Sequence, residues 1–446
     1  MALRPRSRGA WDVADSGAAA TGNRDSTRVV VLGAGFAGIE VAGGLGAAGV
    51  RVTLIDRQNH HLFQPLLYQV ATAALSPADI AEPIRKMLRG YPSVDVRLDE
   101  AIAIDVRART LSLASGATLF YDWLVVATGA THSYFGHDEW APFAPGLKSI
   151  EDARIIRSRL LLAFEEAERT RDPAEQRRLM TIAVIGGGPT GVELAGSIAE
   201  LARYTLAKDF RTIRAETATV LLLEAGPRIL PAFPETLARY AQRRLEKLGV
   251  AVRTHCPVES VTARSIAAAG KELTVGFVIW AAGVRASPMG RMLGVNTDRA
   301  GRIAVNPDLS IPDLDRVFAL GDLALFAGVD GRPLPGLAQV AKQQGRYLGR
   351  ALVKRIRSNI APPPFRFHNR GNTAIIGRHA AVFDFGWWQI RGALAWMFWA
   401  LIHVYLLVGF QHRLMVAIQW LWRYLTYERG SRLIAVDPRR ELPPES

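Results

Sequence analysis

Two acids, Asp56 and Glu224, each close an apolar strand that follows a glycine-rich turn, a set of residue types suited to gripping a dinucleotide. The first turn reads Val29-Val-Val-Leu-Gly33-Ala-Gly35-Phe-Ala-Gly38, and the second Ile182-Ala-Val-Ile-Gly186-Gly-Gly188-Pro-Thr-Gly191. Glycine there lets main-chain N–H groups approach a pyrophosphate, and the helix that follows adds its positive dipole end. The acid at the next strand end takes the adenosine-ribose hydroxyls. A carboxylate suits a free 2′-hydroxyl and repels a 2′-phosphate, so Glu224 favours NADH over NADPH. The competing reading of Glu224 is a solvated charge at a strand end. Two such sets on one chain point to electrons passing between two bound dinucleotides.

Strand 28–33, a helix from about 36 to 48 and strand 50–56 must hold the first set, with Asp56 standing 23 residues after Gly33. The second set repeats that order, but Glu224 stands 38 residues after Gly186, and a helical insertion around 198–215 accounts for the extra length. Asp122-Trp-Leu-Val-Val-Ala-Thr128-Gly129 and Phe277-Val-Ile-Trp-Ala-Ala-Gly283 read as buried strands at the return point of each unit. Asp315-Arg-Val-Phe-Ala-Leu-Gly321-Asp322 is a further apolar strand, whose Gly-Asp end taken alone is only a turn signal.

The chain has 446 residues, enough for two or three cores, and is 49% hydrophobic, greasy for a soluble enzyme yet too polar for a multi-span membrane protein. Its net charge is +14. No nucleic-acid module is present, so an anionic membrane surface and phosphate-bearing cofactors explain that excess better. The single cysteine, Cys256, rules out a disulfide framework, a redox pair and any thiolate iron–sulfur or zinc site, so redox chemistry must be carried by a bound organic cofactor. Cys256 itself reads as a small core residue. Residues 1–24, rich in Ala, Gly, Arg and Ser, lack a secretory apolar segment and read as a mobile tail.

The C-terminal part differs in character. From Gly392 to Phe410 the only ionisable side chain in 19 residues is His403, with Trp396, Phe398, Trp399 and Tyr405 among them and Arg391 and Arg413 flanking. The segment 412–427 sets His412, Gln419, Arg423 and Thr426 on one helical face. Three readings are open: an interfacial helix pair, a single span for which the run is barely long enough, and a buried dimerisation core. Aromatic density and the flanking arginines favour the first.

With these residues in hand, the chain resembles the type II NADH:quinone oxidoreductases, or alternative NADH dehydrogenases, from about residue 28 to 435. The specific blocks are His61-Leu-Phe-Gln-Pro-Leu-Leu-Tyr-Gln-Val-Ala-Thr72 and Ala338-Gln-Val-Ala-Lys-Gln343-Gln344. Ala127-Thr-Gly129, Gly321-Asp322, Gly409-Phe-Gln-His-Arg413 and Tyr424-Leu-Thr-Tyr-Glu-Arg-Gly-Ser-Arg-Leu-Ile434 support them. The resemblance implies an α/β fold: two Rossmann-like dinucleotide-binding domains plus a C-terminal helical membrane-anchoring region. The expected divisions are a tail at 1–24, FAD-binding parts at 25–150 and 296–364, an NADH-binding domain at 151–295 and a membrane-anchoring region at 365–446.

By the same resemblance FAD is held by Gly33, Gly35, Gly38, Asp56, Thr128, Gly129, Gly321 and Asp322, and NADH by Gly186, Gly188, Gly191 and Glu224. Hydride passes from NADH to the flavin and two electrons go on to a membrane quinone, without proton pumping, in respiration. Gln339 and Gln343, four residues apart on one helical face, are implied at the quinone end; the plainer alternative is that they satisfy nearby backbone. Glu193 is implied to supply protons or to position NADH. Lys342 reads as solvent or membrane-surface charge, and His60 and His61 as residues that order their loop. Some relatives place a lysine in the quinone tunnel; the matching stretch Phe385-Gly-Trp-Trp-Gln-Ile-Arg391 has none, and Arg391 equally fits a headgroup anchor. The expected partners are NADH, quinone and a membrane surface met by residues 391–427 on the cytoplasmic face of the inner membrane, with dimerisation open. A soluble NADH oxidase leaves the aromatic C-terminus unexplained, a sulfide-oxidising relative lacks its cysteine pair, and an NADH-sensing flavoprotein is the non-enzyme alternative.

Overall fold

The computed structural model describes residues 27–329, 331–406, 410–426 and 429–434; the expected tail at 1–24 lies outside them, as do Gly409, Tyr427 and Glu428 of the quoted blocks. Two parallel sheets organise the chain. The first runs in spatial order Val317–Ala319, Trp123–Val126, Arg28–Leu32, Arg51–Asp56 and Val94–Leu98. The second runs Val250–Arg253, Thr219–Leu223, Thr181–Ile185 and Phe277–Trp280. Their central strands are unbroken Val, Ile and Leu runs because both faces are covered, which is the pattern of a parallel sheet buried by helices. An antiparallel ribbon, Ala130–His132 on Val284–Ala286, ties one unit to the other.

In each unit the glycine turn leaves the carboxyl end of a central strand and enters a helix, Phe36–Ala47 in the first and Pro189–Glu200 in the second. The insertion in the second unit is a continuation of that helix, through a wide turn at Leu201–Thr205 and short turns at Leu206–Lys208 and Ala215–Thr217. The long helix Ala338–Ser358 covers the first unit by packing on Phe36–Ala47. Gly345 makes that approach feasible: a Cβ there would stand 2.3 Å from Ala37 O.

A three-stranded antiparallel sheet, Asn372–Gly377, Ala380–Asp384 and Gln389–Gly392, precedes two helices, Ala393–Leu406 and Phe410–Thr426. The first of these has 14 residues, about 21 Å, against a hydrocarbon core of about 30 Å. No described helix is long and apolar enough to cross a membrane; residues 407–409 of the run 392–410 lie outside the described residues. Cys256 is buried in an apolar cluster beside Trp280 and Val261.

Gly345→Ala should push the two helices of the first unit apart and lower stability by about 1–3 kcal/mol. Gly349→Ala, whose Cβ would meet Glu40 O at 3.3 Å, should cost less. Thermal unfolding of the two variants checks the ranking; equal melting temperatures would refute it.

Candidate functional site

The two glycine turns match in their hydrogen bonds. Gly33 (φ +93°) and Gly186 (φ +107°) turn in the left-handed region, and a Cβ on either would lie 2.5–2.7 Å from main-chain atoms of the neighbouring strand end, Ala127 O and Ala281 C. Asp56 Oδ2 accepts from Ala34 N at 2.6 Å, and Glu224 Oε2 accepts from Gly187 N at 2.6 Å. Their other oxygens accept from Gln58 N and Gly226 N, both at 2.7 Å. Each acid thus braces its own turn. The longer spacing before Glu224 leaves this arrangement unchanged.

Gly35 and Gly188 are the N-caps of the following helices; no side chain caps either helix, and nothing lies within 4 Å of where their Cβ atoms would project. Uncapped N–H groups facing open space at a helix start are what a pyrophosphate requires. Gly38 and Gly191 let each helix sit on its turn, since a Cβ would fall 1.8 Å from the oxygens of Gly33 and Gly186. The residues present therefore fit two dinucleotides.

Around the first turn, Thr128 Oγ1 lies 2.5 Å from Ser287 Oγ, and Gly129 takes φ +68° at the start of the inter-unit ribbon. Gly321 N donates to the buried Gln344 Oε1 at 2.7 Å, fixing the turn that carries Asp322. Asp322 stands 3.8 Å from Lys148 Nζ. His61 Nδ1 lies 2.9 Å from Ala34 O and its ring meets Phe36 edge-on, so it orders the turn from the side. Burial lowers the pKa of His61.

A cleft opens between the second unit and the C-terminal helices. Glu193, Ser197 and Glu200 line it from the helix Pro189–Glu200, Tyr68 and Gln69 from the helix Leu67–Ala71, and Trp396, Trp399 and Trp420 from the C-terminal pair. Gln69 is the hinge of this wall: its Nε2 donates to Tyr68 Oη at 2.9 Å and its Oε1 accepts from Trp420 Nε1 at 3.0 Å. Trp399 stacks on Trp420 with centroids 5.1 Å apart and on the buried His403 at 4.3 Å. Burial holds His403 neutral, with its pKa lowered to about 4.

Among the described residues Glu193 has a single polar contact within the cleft, Ile375 N at a long 3.4 Å. Desolvation by the surrounding protein pushes its pKa up to about 8. That shift favours the protonated carboxylic acid near neutral pH. At the far end of the same helix, buried Arg429 donates to Thr72 O at 2.7 Å and Ser197 O at 3.0 Å and lies 3.6 Å from Glu200 Oε2.

The profile of pyridine nucleotide-disulphide oxidoreductases matches residues 27–345, and that of the NDH2 C-terminal domain matches residues 369–427. The type II NADH:quinone oxidoreductase NdhA of Mycobacterium tuberculosis is 43% identical, over 91% of this chain and 89% of its own. Its companion Ndh from the same organism is 42% identical, over 91% and 90%. The chain belongs to the type II NADH:quinone oxidoreductases. In fold it is similar to NDH2 of Plasmodium falciparum, solved with NADH, at a TM-score of 0.84 and 20% identity, over 92% of this chain and all of that one.

Three residues read from the sequence of this type II NADH:quinone oxidoreductase, Gln339, Gln343 and Lys342, have partners in the fold. Gln339 and Gln343 are taken up by the main chain: Gln339 bonds Gly371 O (3.0 Å) and Arg370 N (3.1 Å), and Gln343 bonds His368 O (2.9 Å) and His368 N (3.0 Å). Both amides thus bond the loop at 368–371. Lys342 is not a free surface charge but lies 3.5 Å from Glu40 in an ion pair. The residues that sequence reasoning left without a role are Gln344, Ser287, Gln69, Trp420 and Arg429. Gln69 stood inside the first specific block and Arg429 inside the supporting block 424–434, but the Trp420 and Thr72 partners lie more than 300 residues away in the chain.

Because the Glu193 pKa is raised in the fold, its contribution to stability is complete below the unfolded value near 4.5 and is lost as pH climbs towards about 8. Glu193→Gln should flatten the dependence of melting temperature on pH across that window. An unchanged slope would show that Glu193 is ionised at neutral pH.

Proposed function

We propose that this NADH:quinone oxidoreductase binds FAD on the first glycine turn and NADH on the second, and receives its quinone in the cleft walled by Glu193, Gln69, Trp399 and Trp420. When bound, the flavin supplies the two-electron relay between nicotinamide and quinone. The observation that carries the reading is the single helix Pro189–Glu200. Its first turn presents Gly188 and Gly191 to a dinucleotide, and its next presents Glu193 to an aromatic cleft beneath the C-terminal helices. One rigid element thereby sets the spacing between the hydride donor and the acceptor.

The chain's own part follows from its geometry. Gly35, Gly38 and Asp56, with Thr128, Gly129, Gly321 and Asp322 at the neighbouring strand ends, hold and orient the flavin dinucleotide. Gly186, Gly188, Gly191 and Glu224 do the same for NADH. The stacked indoles exclude water and offer flat apolar faces to a quinone ring. Glu193, protonated at neutral pH, keeps a proton at the cleft wall for an oxygen of the reduced quinone. Gln339 and Gln343 act by position: they hold residues 368–371 and so seat the strand Asn372–Gly377, which brings Ile375 and Ile376 to the cleft.

Leu394, Met397, Leu401, Leu414, Ile418 and Leu421 are all exposed on the two C-terminal helices. An apolar surface of that extent beside an aromatic cleft fits a helix pair lying in the bilayer interface, where a lipid-borne quinone arrives. Supply of NADH and the net charge of +14 favour the cytoplasmic face of the inner membrane.

Anaerobic rapid mixing separates the halves of the reaction. Trp420→Ala should slow reoxidation of the reduced flavin by quinone about 10–100-fold while bleaching by NADH stays nearly unchanged. Equal loss in both halves would reduce Trp420 to a packing role. Glu224→Arg should weaken NADH and shift preference towards NADPH by about tenfold or more. An unmoved NADH/NADPH ratio would remove Glu224 from the ribose site.

A further inference from the structure

We propose that the helix Glu235–Lys247 of the second unit carries an anionic-phospholipid site, formed by Arg243 and Lys247 and continued by Arg391. The inference rests on the membrane reading above and extends it from the apolar helices to a nucleotide-binding unit. Leu237, Ala238, Ala241 and Leu245 face the core. On the opposite side Thr236, Tyr240, Arg243 and Lys247 recur at steps of four, three and four, so they form one stripe along the helix. The stripe meets the C-terminal sheet directly. Thr236 Oγ1 donates to Gln389 Oε1 at 3.1 Å, and the Arg391 guanidinium lies 5.6 Å from the Tyr240 ring centroid.

That contact makes the cationic stripe continuous with the surface assigned to the bilayer. The hairpin joining Ala380–Asp384 to Gln389–Gly392 carries Trp387, 84% exposed, and Trp388, 46% exposed, at its tip. Gly392 leads directly into the helix with exposed Leu394, Met397 and Leu401. Exposed tryptophans beside an apolar strip mark headgroup depth, and arginine and lysine at that level meet lipid phosphates.

The three cations are exposed, and among the described residues none of them makes an ion pair. Arg239 is left out of the site because Glu235 neutralises it at 3.5 Å. Glu246, the other acid of this helix, lies off the stripe and accepts from Gln242 at 2.9 Å. Lys247 is also in the last helical turn, where a cation suits the helix dipole. Arg391 is held over the Tyr240 ring, Arg243 has no such local contact, and charge complementarity to an anionic leaflet accounts for all three charges together.

Flotation of the full-length flavoprotein with phosphatidylcholine vesicles, and with vesicles that also contain phosphatidylglycerol, tests this. Wild type should bind both and prefer the anionic vesicles, with the preference shrinking as salt rises. Arg243→Glu combined with Lys247→Glu should weaken binding to anionic vesicles about 20-fold or more, at about fivefold per charge removed, and leave binding to neutral vesicles unchanged. The milder Arg243→Gln with Lys247→Gln should lie between the two. NADH oxidation with ferricyanide, a soluble acceptor, should be unaltered in both variants and reports that they fold. Equal preference in wild type and the reversed variant would overturn the lipid site while leaving the membrane reading intact. Failure of wild type to bind either vesicle would overturn both.

Discussion

The constraint on which the rest depends is how near the helix Pro189–Glu200 comes to the strand Asn372–Gly377. A Cβ on Gly196 would fall 1.8 Å from Ile376 O, so only glycine permits the approach. That contact joins the second nucleotide unit to the C-terminal sheet, and the cleft forms beside it. With the two elements further apart, Ile375 N could not reach Glu193 even at 3.4 Å, and Arg378 N would lose Glu200, whose Oε1 it meets at 2.5 Å. The helix therefore transmits one geometry from the dinucleotide turn to the aromatic wall, with no loop between them to blur it.

Fixing the C-terminal helices onto this frame demands polar contacts as well as apolar burial. Both helices expose large side chains outward, and Ala395, Trp399, His403 and Val416 are their buried contacts with the core. Two long-range contacts secure what is left. Gln69 accepts the indole N–H of Trp420, and Arg429 reaches Thr72 and Ser197 just past the second helix. Thr72 Oγ1 and Ser197 Oγ in turn lie 2.7 Å apart, so the buried guanidinium enters a network already closed on its other side. A buried charge with every neighbour satisfied specifies one seating of the segment, whereas apolar contacts alone would tolerate several.

Much of the frame was legible because buried parallel strands write continuous Val, Ile and Leu runs, and because glycine turns announce strand ends. Strand Val29–Leu32 with Gly33, and its counterpart before Gly186, illustrate this. The match between Asp56 and Glu224 was harder to read: spacing alone set them apart, and only the hydrogen bonds to Ala34 N and Gly187 N show the same arrangement. The cleft was not legible as a place. Tyr68 and Gln69, Glu193, Trp399 and Arg429 come from four separate segments, and no local period encodes their meeting. The two glutamines show a related limit. Their four-residue spacing fits an acceptor site as well as a clamp on a passing loop, and their bonds to residues 368–371 join partners that spacing does not reveal.

Glu193 and Glu200 sharpen the point that one helix face can hold two kinds of acid. They are seven residues apart, two turns on the same side, and both line the cleft. Glu200 receives the Arg378 N–H and the Arg429 guanidinium. Among the described residues Glu193 receives one long N–H and pairs with no cation, and desolvation governs it. An acid whose pKa is raised in this way costs the fold stability as pH rises. The two acids therefore differ in partners and not in the face they share: Glu200 is tied to main chain and guanidinium, whereas Glu193 stands where the aromatic walls converge.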